Sequence, residues 1–252
     1  MIYACCCQCN QVLFANHPII SIYFIAIYSI SLNHKGAQMR FNYYIITLSI
    51  MVQSTFFCQN FNISKTGIQT FYFKDPQNRN QILFSSDALV ETFNGLTTDV
   101  WGEVSFDPND VKNTIEGKLS VATNSIKTGI DLRDEDLYSS RWLDVEKYPT
   151  ISFTIENVED VIILDNNKIR LSLTGLFNCH GKTKVIMLDA TLTLLEENDL
   201  TKKRIPGDLL SFVTKFDIYL SDYGIRNIYM PNRVSEKIEI SVNIVGTNKE
   251  PL

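Results

Sequence analysis

The chain has 252 residues and a formal net charge of −5 at pH 7, from 23 basic and 28 acidic side chains. No Asp or Glu precedes Asp75, and Lys35 and Arg40 are the only basic residues among the first 59. Removing these two from the basic total leaves residues 60–252 with 21 basic against 28 acidic side chains, a net charge of −7. This acidic balance argues against a nucleic-acid partner, and a length of about 190 residues predicts one domain with one sizeable core.

Two apolar stretches precede the domain, at residues 19–32 and 43–58. The second stretch follows Met39 and Arg40, so a basic start and a short apolar run together form the pattern of a secretory signal. The pattern predicts that translation begins at Met39 and that the domain is exported.

We therefore predict that residues 1–38 are a mis-assigned upstream extension or leader, that 39–59 are a signal peptide, and that 60–252 form the domain. The alternative is a transmembrane helix at 12–32, which is long enough to span but is interrupted by polar residues and a proline. The signal-peptide interpretation places the domain outside the cytoplasm. The expected location is periplasmic or secreted, with anchoring to a membrane through the N-terminal apolar segment as the alternative.

The cysteines divide the chain in the same way. Four of the six lie within the first nine residues, Cys58 ends the second apolar stretch, and Cys179 alone lies in the domain. The N-terminal cluster lacks further ligands at a metal-binding spacing. The domain can form no internal disulfide, so packing and strand hydrogen bonds must stabilise it. Lipidation of Cys58 is a minor alternative, because Phe56 and Phe57 are bulky where small residues are preferred.

From Gln69 onward, apolar residues alternate with polar ones, which is the period of a half-buried strand. The clearest runs lie at 115–121, 151–156, 169–174, 186–194, 212–220 and 238–244, with shorter candidates at 70–73, 81–86 and 100–106. Turn residues separate these runs, which indicates eight or nine strands, mostly antiparallel because the connections are short. Alternation of this kind fits either a two-sheet sandwich or a closed barrel, and the period alone does not choose between them.

Residues 131–143 have a different character. Leu132, Leu137 and Trp142 stand among charged residues, which is typical of a short amphipathic helix. Asp131 is placed to cap this helix at its N-terminus.

Four segments carry an order of residues specific enough to indicate a family. They are NQILFSSDALVETFNGLTTDVWGEVSFDPNDV at 80–111, SIKTGIDLRDEDLYSSRWLDVEKYPTISF at 125–153, LTGLFNCHGKTKVIML at 173–188, and FDIYLSDYGIRNI at 216–228 followed by KIEISVNIVG at 237–246. Together they resemble the YceI-like family, most distinctively at 125–153. The resemblance implies an all-β fold, a single antiparallel eight-stranded lipocalin-like barrel with a short helix inserted between strands. It also implies an apolar cavity that binds a polyisoprenoid.

Under this resemblance, the apolar inward faces of the strands line the cavity. The expected lining residues are Phe153, Ile155, Leu171, Leu173, Leu188, Leu192, Phe216, Ile218, Ile240 and Val242. The cavity mouth is expected at Arg133, Arg141, Trp142 and His180. Two roles fit the arginines equally: they pair with a phosphate head group, or they pair with Asp144 or Glu146 at the surface.

The domain shows little that would support catalysis or metal binding. His180 is its only histidine and lacks a second ligand, a base or a nucleophile at motif spacing. Cys179 is interpreted as a buried, inert thiol. The acidic run at 134–136 lacks the glycine and the distal glutamate of a calcium loop. We therefore predict no metal, no cofactor and no catalytic residue.

The function predicted from these observations is that of an exported carrier or sequestering protein for a polyisoprenoid or similar long-chain amphiphile. One alternative is an envelope stress-response or structural barrel without turnover. A less favoured one is a lipid-modifying enzyme with Arg133, Asp134 and His180 as its polar groups. A homodimer and peripheral association with a membrane stay open, and no nucleic-acid partner is expected.

Overall fold

The computed structural model describes Phe61 and residues 64–250. The predicted upstream extension and signal peptide, at 1–38 and 39–59, lie outside the described residues. The described chain forms ten strands: β1 (Gln69–Tyr72), β2 (Gln81–Asp87), β3 (Thr92–Thr97), β4 (Val100–Phe106), β5 (Glu116–Ala122), β6 (Thr150–Asp165), β7 (Lys168–Cys179), β8 (Lys182–Leu195), β9 (Leu209–Tyr219) and β10 (Lys237–Thr247). Its α-helices are α1 (Val111–Thr114) and α2 (Asp131–Tyr138), and short 3-10 turns lie at Thr123–Ser125, Thr201–Lys203 and Leu220–Tyr223.

The ten strands fill the eight positions of a closed antiparallel barrel. β1 and β2 share one position because both pair with β10. β3 and β4 share the next position because β3 pairs with β2 and β4 pairs with β1. The remaining strands follow in chain order, and the pair Tyr72–Thr247 closes the ring. The prediction of a single eight-stranded antiparallel barrel is confirmed.

A side-chain amide bridges the break between β1 and β2. Residues 73–80 leave the ladder there, and the Asn80 side chain donates to the carbonyl of Phe73 at 2.7 Å. The same side chain accepts from the backbone N–H of Val245 at 2.8 Å. Asn80 thus satisfies backbone groups that the interrupted strand would leave unpaired in the interior.

One half of the barrel interior is filled with side chains. Its fully buried members include Phe71, Phe106, Leu171, Leu173, Leu192, Leu194, Leu210 and Ile244. The Phe106 ring stacks on the Phe71 ring at a centroid distance of 5.6 Å and lies 5.9 Å from the Phe61 ring. Three aromatic rings from separate segments therefore fill the space that strand closure leaves at this end.

Around the other half the wall is less continuous. The hydrogen-bond ladder between β8 and β9 joins residues 190–195 to 209–214 and does not reach the first part of β8. By contrast, β7 pairs with β8 along nearly its whole length, and so does β9 with β10. The Thr214 hydroxyl donates to the carbonyl of Asp189 at 2.7 Å where the two strands part. The divergence widens the barrel on the side where the cavity lies.

Helix α2 is inserted between β5 and β6, as predicted, but two details differ. The N-cap residue is Ile130, which makes no side-chain cap hydrogen bond, so the prediction that Asp131 caps the helix is wrong. Asp131 lies in the first turn, where a negative charge still favours the helix dipole. The helix also ends at Tyr138 rather than reaching 143, and turns carry the chain onward to Pro149.

Candidate functional site

The hollow half of the barrel contains a cavity of about 800 Å³. Its walls come from β2, β3 and from β5 through β10, and most of its lining side chains are apolar. This volume falls within the roughly 300–1,000 Å³ range of small-molecule sites. The cavity can therefore hold a ligand of considerable length.

Of the ten residues predicted to line the cavity, six do so: Phe153, Leu188, Phe216, Ile218, Ile240 and Val242. The other four do not reach it. Leu171, Leu173 and Leu192 are fully buried in the filled half, and Ile155 is partly buried against the core. All four follow the inward alternation correctly, but alternation fixes the face of a residue and not its height along the barrel axis.

Several lining residues were missed. Leu119 on β5 and Phe177 on β7 lie on inward faces, so the same period could have identified them. Phe84 and Phe93 lie on the β2–β3 hairpin, where the short strands give a weaker pattern. Tyr229 lies in the loop between β9 and β10, where the sequence shows no alternating pattern that could have predicted it.

Three segments surround the cavity mouth: the β2–β3 hairpin, helix α2 with its following turn, and the loop at 224–236. Arg133 on α2 binds the Glu91 carboxylate of the hairpin at 3.0 Å. The backbone N–H of Val90 donates to the carbonyl of Asn232 at 2.9 Å, which joins the hairpin to the loop. The hairpin is therefore held to α2 on one side and to the 224–236 loop on the other.

The predicted mouth residues separate into two groups. Arg133, Arg141 and Trp142 line the cavity, whereas His180 lies elsewhere. The Nδ1 atom of His180 is 3.1 Å from the Tyr223 carbonyl, and its ring packs 4.5 Å from the ring of Tyr148. His180 has a positive φ of 50°, so it serves the β7–β8 turn rather than the mouth.

Both arginines bind carboxylates, but not those considered from the sequence. Arg133 pairs with Glu91 and also lies over the Phe93 ring, with its Cζ 4.4 Å from the centroid. Arg141 pairs with Asp136 at 2.6 Å. Asp136 also accepts a hydrogen bond from the Trp142 indole at 3.1 Å, which fixes the orientation of that ring at the cavity wall. Asp144 and Glu146 are not the partners in either pair.

The deeper lining of the cavity is nearly free of charge. The Thr97 hydroxyl bonds to the Ser125 hydroxyl at 2.6 Å, so it is already satisfied within the protein. Burial raises the pKa of the Cys179 thiol to about 12, so this sulfur is protonated and poorly nucleophilic at neutral pH. Charged side chains gather at the mouth, and the interior offers apolar contact.

Asp134 attaches α2 to the chain before it. The residue is 4% exposed, and its carboxylate accepts both the backbone N–H and the hydroxyl of Thr128, each at 2.7 Å. The Lys127 ammonium lies 3.8 Å away. Burial raises the pKa of Asp134, but the Thr128 hydrogen bonds and the nearby positive charges of Lys127 and Arg133 outweigh it and lower the pKa below the ordinary aspartate value.

The lowered pKa of Asp134 predicts a stability loss in acid. A carboxyl with a depressed folded-state pKa contributes stability that is present above its unfolded pKa, about 3.9, and is lost as pH falls through the folded value. Asp134→Ala should cost about 1–3 kcal/mol at pH 7, because Thr128 loses its buried acceptor. Denaturant unfolding at pH 7 and pH 3 measures both effects. An equal cost at the two pH values would contradict the linkage.

Within Phe61 and residues 64–250, no group of three His, Cys, Asp or Glu side chains is arranged to hold a metal ion. No helix in that part of the chain is both long enough and apolar enough to cross a membrane.

The sequence comparison agrees with the geometry. Residues 72–246 match the YceI-like domain. The chain belongs to the YceI-like family. The protein YceI of Salmonella arizonae is 28% identical over 158 residues, which cover 62% of this chain and 74% of that protein.

Two solved structures show the same fold as this YceI-like chain. BcnA of Burkholderia cenocepacia aligns with a TM-score of 0.54 at 15% identity, over 69% of this chain and all of BcnA. A polyisoprenoid binding domain from Saccharophagus degradans, implicated in plant cell wall breakdown, aligns with a TM-score of 0.51 at 14% identity, over 73% of this chain and 99% of that domain. At these identities the likeness establishes the barrel fold alone.

Proposed function

We propose that the protein is an exported carrier that binds a polyisoprenoid or similar long-chain amphiphile inside the barrel. The observation that carries the proposal is the cavity of about 800 Å³, apolar in its depth and charged only at its mouth. An apolar chain would fill the interior and a polar head group would stay at the mouth. The Saccharophagus domain of the same fold, described as polyisoprenoid binding, is consistent with this ligand class.

The energetics favour such a ligand without specific head-group contacts. Burying about fifteen chain carbons contributes about 12 kcal/mol before costs. Association and ordering remove at least about 4 kcal/mol. The remaining free energy is at most about 8 kcal/mol, which corresponds to an affinity in the micromolar range or weaker. Arg133 and Arg141 each donate to one carboxylate, that of Glu91 and of Asp136, so part of their positive charge is neutralised within the protein.

Recovery of the ligand is the direct test. The full chain is purified without detergent, and native mass spectrometry is followed by organic extraction and lipid analysis. We expect a long-chain lipid in about one copy per protein, and uptake of an isoprenoid probe after delipidation. An empty barrel that also fails to take up isoprenoid and fatty-acid probes would overturn the proposal. Export rests on the pattern of residues 39–59, and N-terminal sequencing of the mature protein checks it.

The lipid-modifying enzyme considered from the sequence gains no support from the contacts of its three polar groups. Arg133 is bound to Glu91, Asp134 to Thr128, and His180 to the Tyr223 carbonyl. These contacts engage the three groups separately and do not assemble them into a reacting set.

A further inference from the structure

Large apolar side chains are exposed on all three segments that surround the cavity mouth. They are Leu89 and Val90 at the tip of the β2–β3 hairpin, Ile130 and Leu132 at the start of α2, and Ile228 in the 224–236 loop. We call these five residues the rim. Their exposed fractions run from 49% for Ile130 to 88% for Ile228, so folding alone leaves them in water.

The rim is continuous with the cavity. Ile130 and Leu132 themselves line the cavity. Val90 precedes the lining residue Glu91, and Ile228 precedes the lining residue Tyr229. Exposed apolar residues that occur singly need no explanation, but a group around one opening marks a surface that contacts a partner or a membrane.

We propose that the rim docks the barrel mouth-first onto a lipid bilayer, so that a long-chain amphiphile passes between membrane and cavity without crossing water. The inference rests on the proposed function, because it names the source from which that ligand enters. A chain that leaves a bilayer through water exposes each of its methylenes, and an apolar rim seated in the interface removes most of that barrier.

The composition of the rim favours a bilayer over a protein partner. All five side chains are aliphatic, whereas the energetic centres of protein interfaces are enriched in Trp, Tyr and Arg. The mouth arginines Arg133 and Arg141 are paired with carboxylates. Docking should therefore depend on apolar insertion and should not require anionic lipid, even though residues 60–252 are acidic overall.

A tryptophan reporter tests which surface meets the membrane. Val90→Trp places an indole on the rim, and Met187→Trp places one on the outer barrel wall, where Met187 is 71% exposed. Each full-chain variant is mixed with phosphatidylcholine vesicles, with or without brominated acyl chains. We expect bromination to lower the extra emission of Val90→Trp at least about twofold and to leave that of Met187→Trp unchanged. Equal quenching of both reporters, or none at Val90→Trp, would overturn the docking.

Transfer kinetics test the consequence for the ligand. The rim variant Val90→Glu/Ile228→Glu is compared with the wall variant Val185→Glu/Met187→Glu, since all four side chains are exposed and apolar and none lines the cavity. We expect transfer of a fluorescent isoprenoid from neutral vesicles to slow about tenfold or more in the rim variant and to stay near wild type in the wall variant.

Equilibrium binding of the same isoprenoid, added without vesicles, separates the two hypotheses. Unchanged affinity with slow vesicle transfer in the rim variant supports the docking. Unchanged affinity with equal transfer in both variants overturns the docking and leaves the binding function standing. If no variant and no wild-type protein binds the isoprenoid, the proposed function fails, and quenching at Val90→Trp still decides whether the rim meets a bilayer.

Discussion

Replacing Ile240 by Trp is expected to weaken uptake of a long-chain isoprenoid at least about a hundredfold while the barrel stays folded. Ile240 pairs with Phe216 on β9 and with Phe84 on β2, and all three side chains line the cavity. An indole at this position occupies space that the ligand chain needs. Excluding about four methylenes removes about 3 kcal/mol of binding free energy, which corresponds to roughly a hundredfold.

Titration of delipidated protein with a fluorescent isoprenoid measures the loss. The matched control is Val213→Trp, because Val213 lies on neighbouring β9 but points outward and is 42% exposed. Both variants should unfold near the wild-type temperature, since the new ring at Ile240 enters open space rather than a packed core. Wild-type affinity in folded Ile240→Trp would place the ligand outside this cavity.

The sequence predicted the strands well because each strand carries a local signal, whereas the closed barrel was predicted from the family resemblance. Alternation over 169–174, 186–194 and 238–244 identifies β7, β8 and β10 and orients their side chains inward. Strand order follows from short connections, which favour antiparallel neighbours. These features depend on residues close together in the chain, and the structure retains them.

The same local signal could not locate the cavity along the barrel axis. On β7, Leu171 and Phe177 face the same way, yet Leu171 packs in the filled half and Phe177 lines the cavity. In the filled half, Phe61 and Phe71 reach Phe106 from distant segments of the chain. Which layer is filled is a property of the closed barrel and not of any one strand.

The ion-pair partners at the cavity mouth likewise depend on residues far apart in the sequence. Arg133 binds Glu91 across 42 residues of sequence, so spacing offered no way to choose this partner over Asp144 or Glu146. The predicted cap at Asp131 failed for a local reason, because the carboxylate that bonds to the preceding segment is Asp134. A run of acidic residues shows that one of them can make this contact without showing which.

The division of the interior predicts that two similar mutations will have opposite consequences. Phe106 is fully buried between Phe61 and Phe71, whereas Phe216 is partly buried against Phe177 and faces the cavity. Phe106→Ala should lower the free energy of unfolding by about 3–5 kcal/mol, equivalent to about 6–20 °C in midpoint, because it opens a void in a packed layer. Phe216→Ala should cost half of this or less, since it enlarges a space that already exists.

Ligand binding should reverse the order of the two variants. Phe106 does not line the cavity, so Phe106→Ala should keep wild-type isoprenoid affinity wherever it remains folded, while Phe216→Ala should lose part of the apolar contact that holds the chain. Denaturant unfolding and probe titration on the same preparations give both quantities. Similar stability losses in the two variants would show that both halves of the barrel are equally packed. The same residues would then determine both stability and ligand binding, and the barrel would not have one end for each.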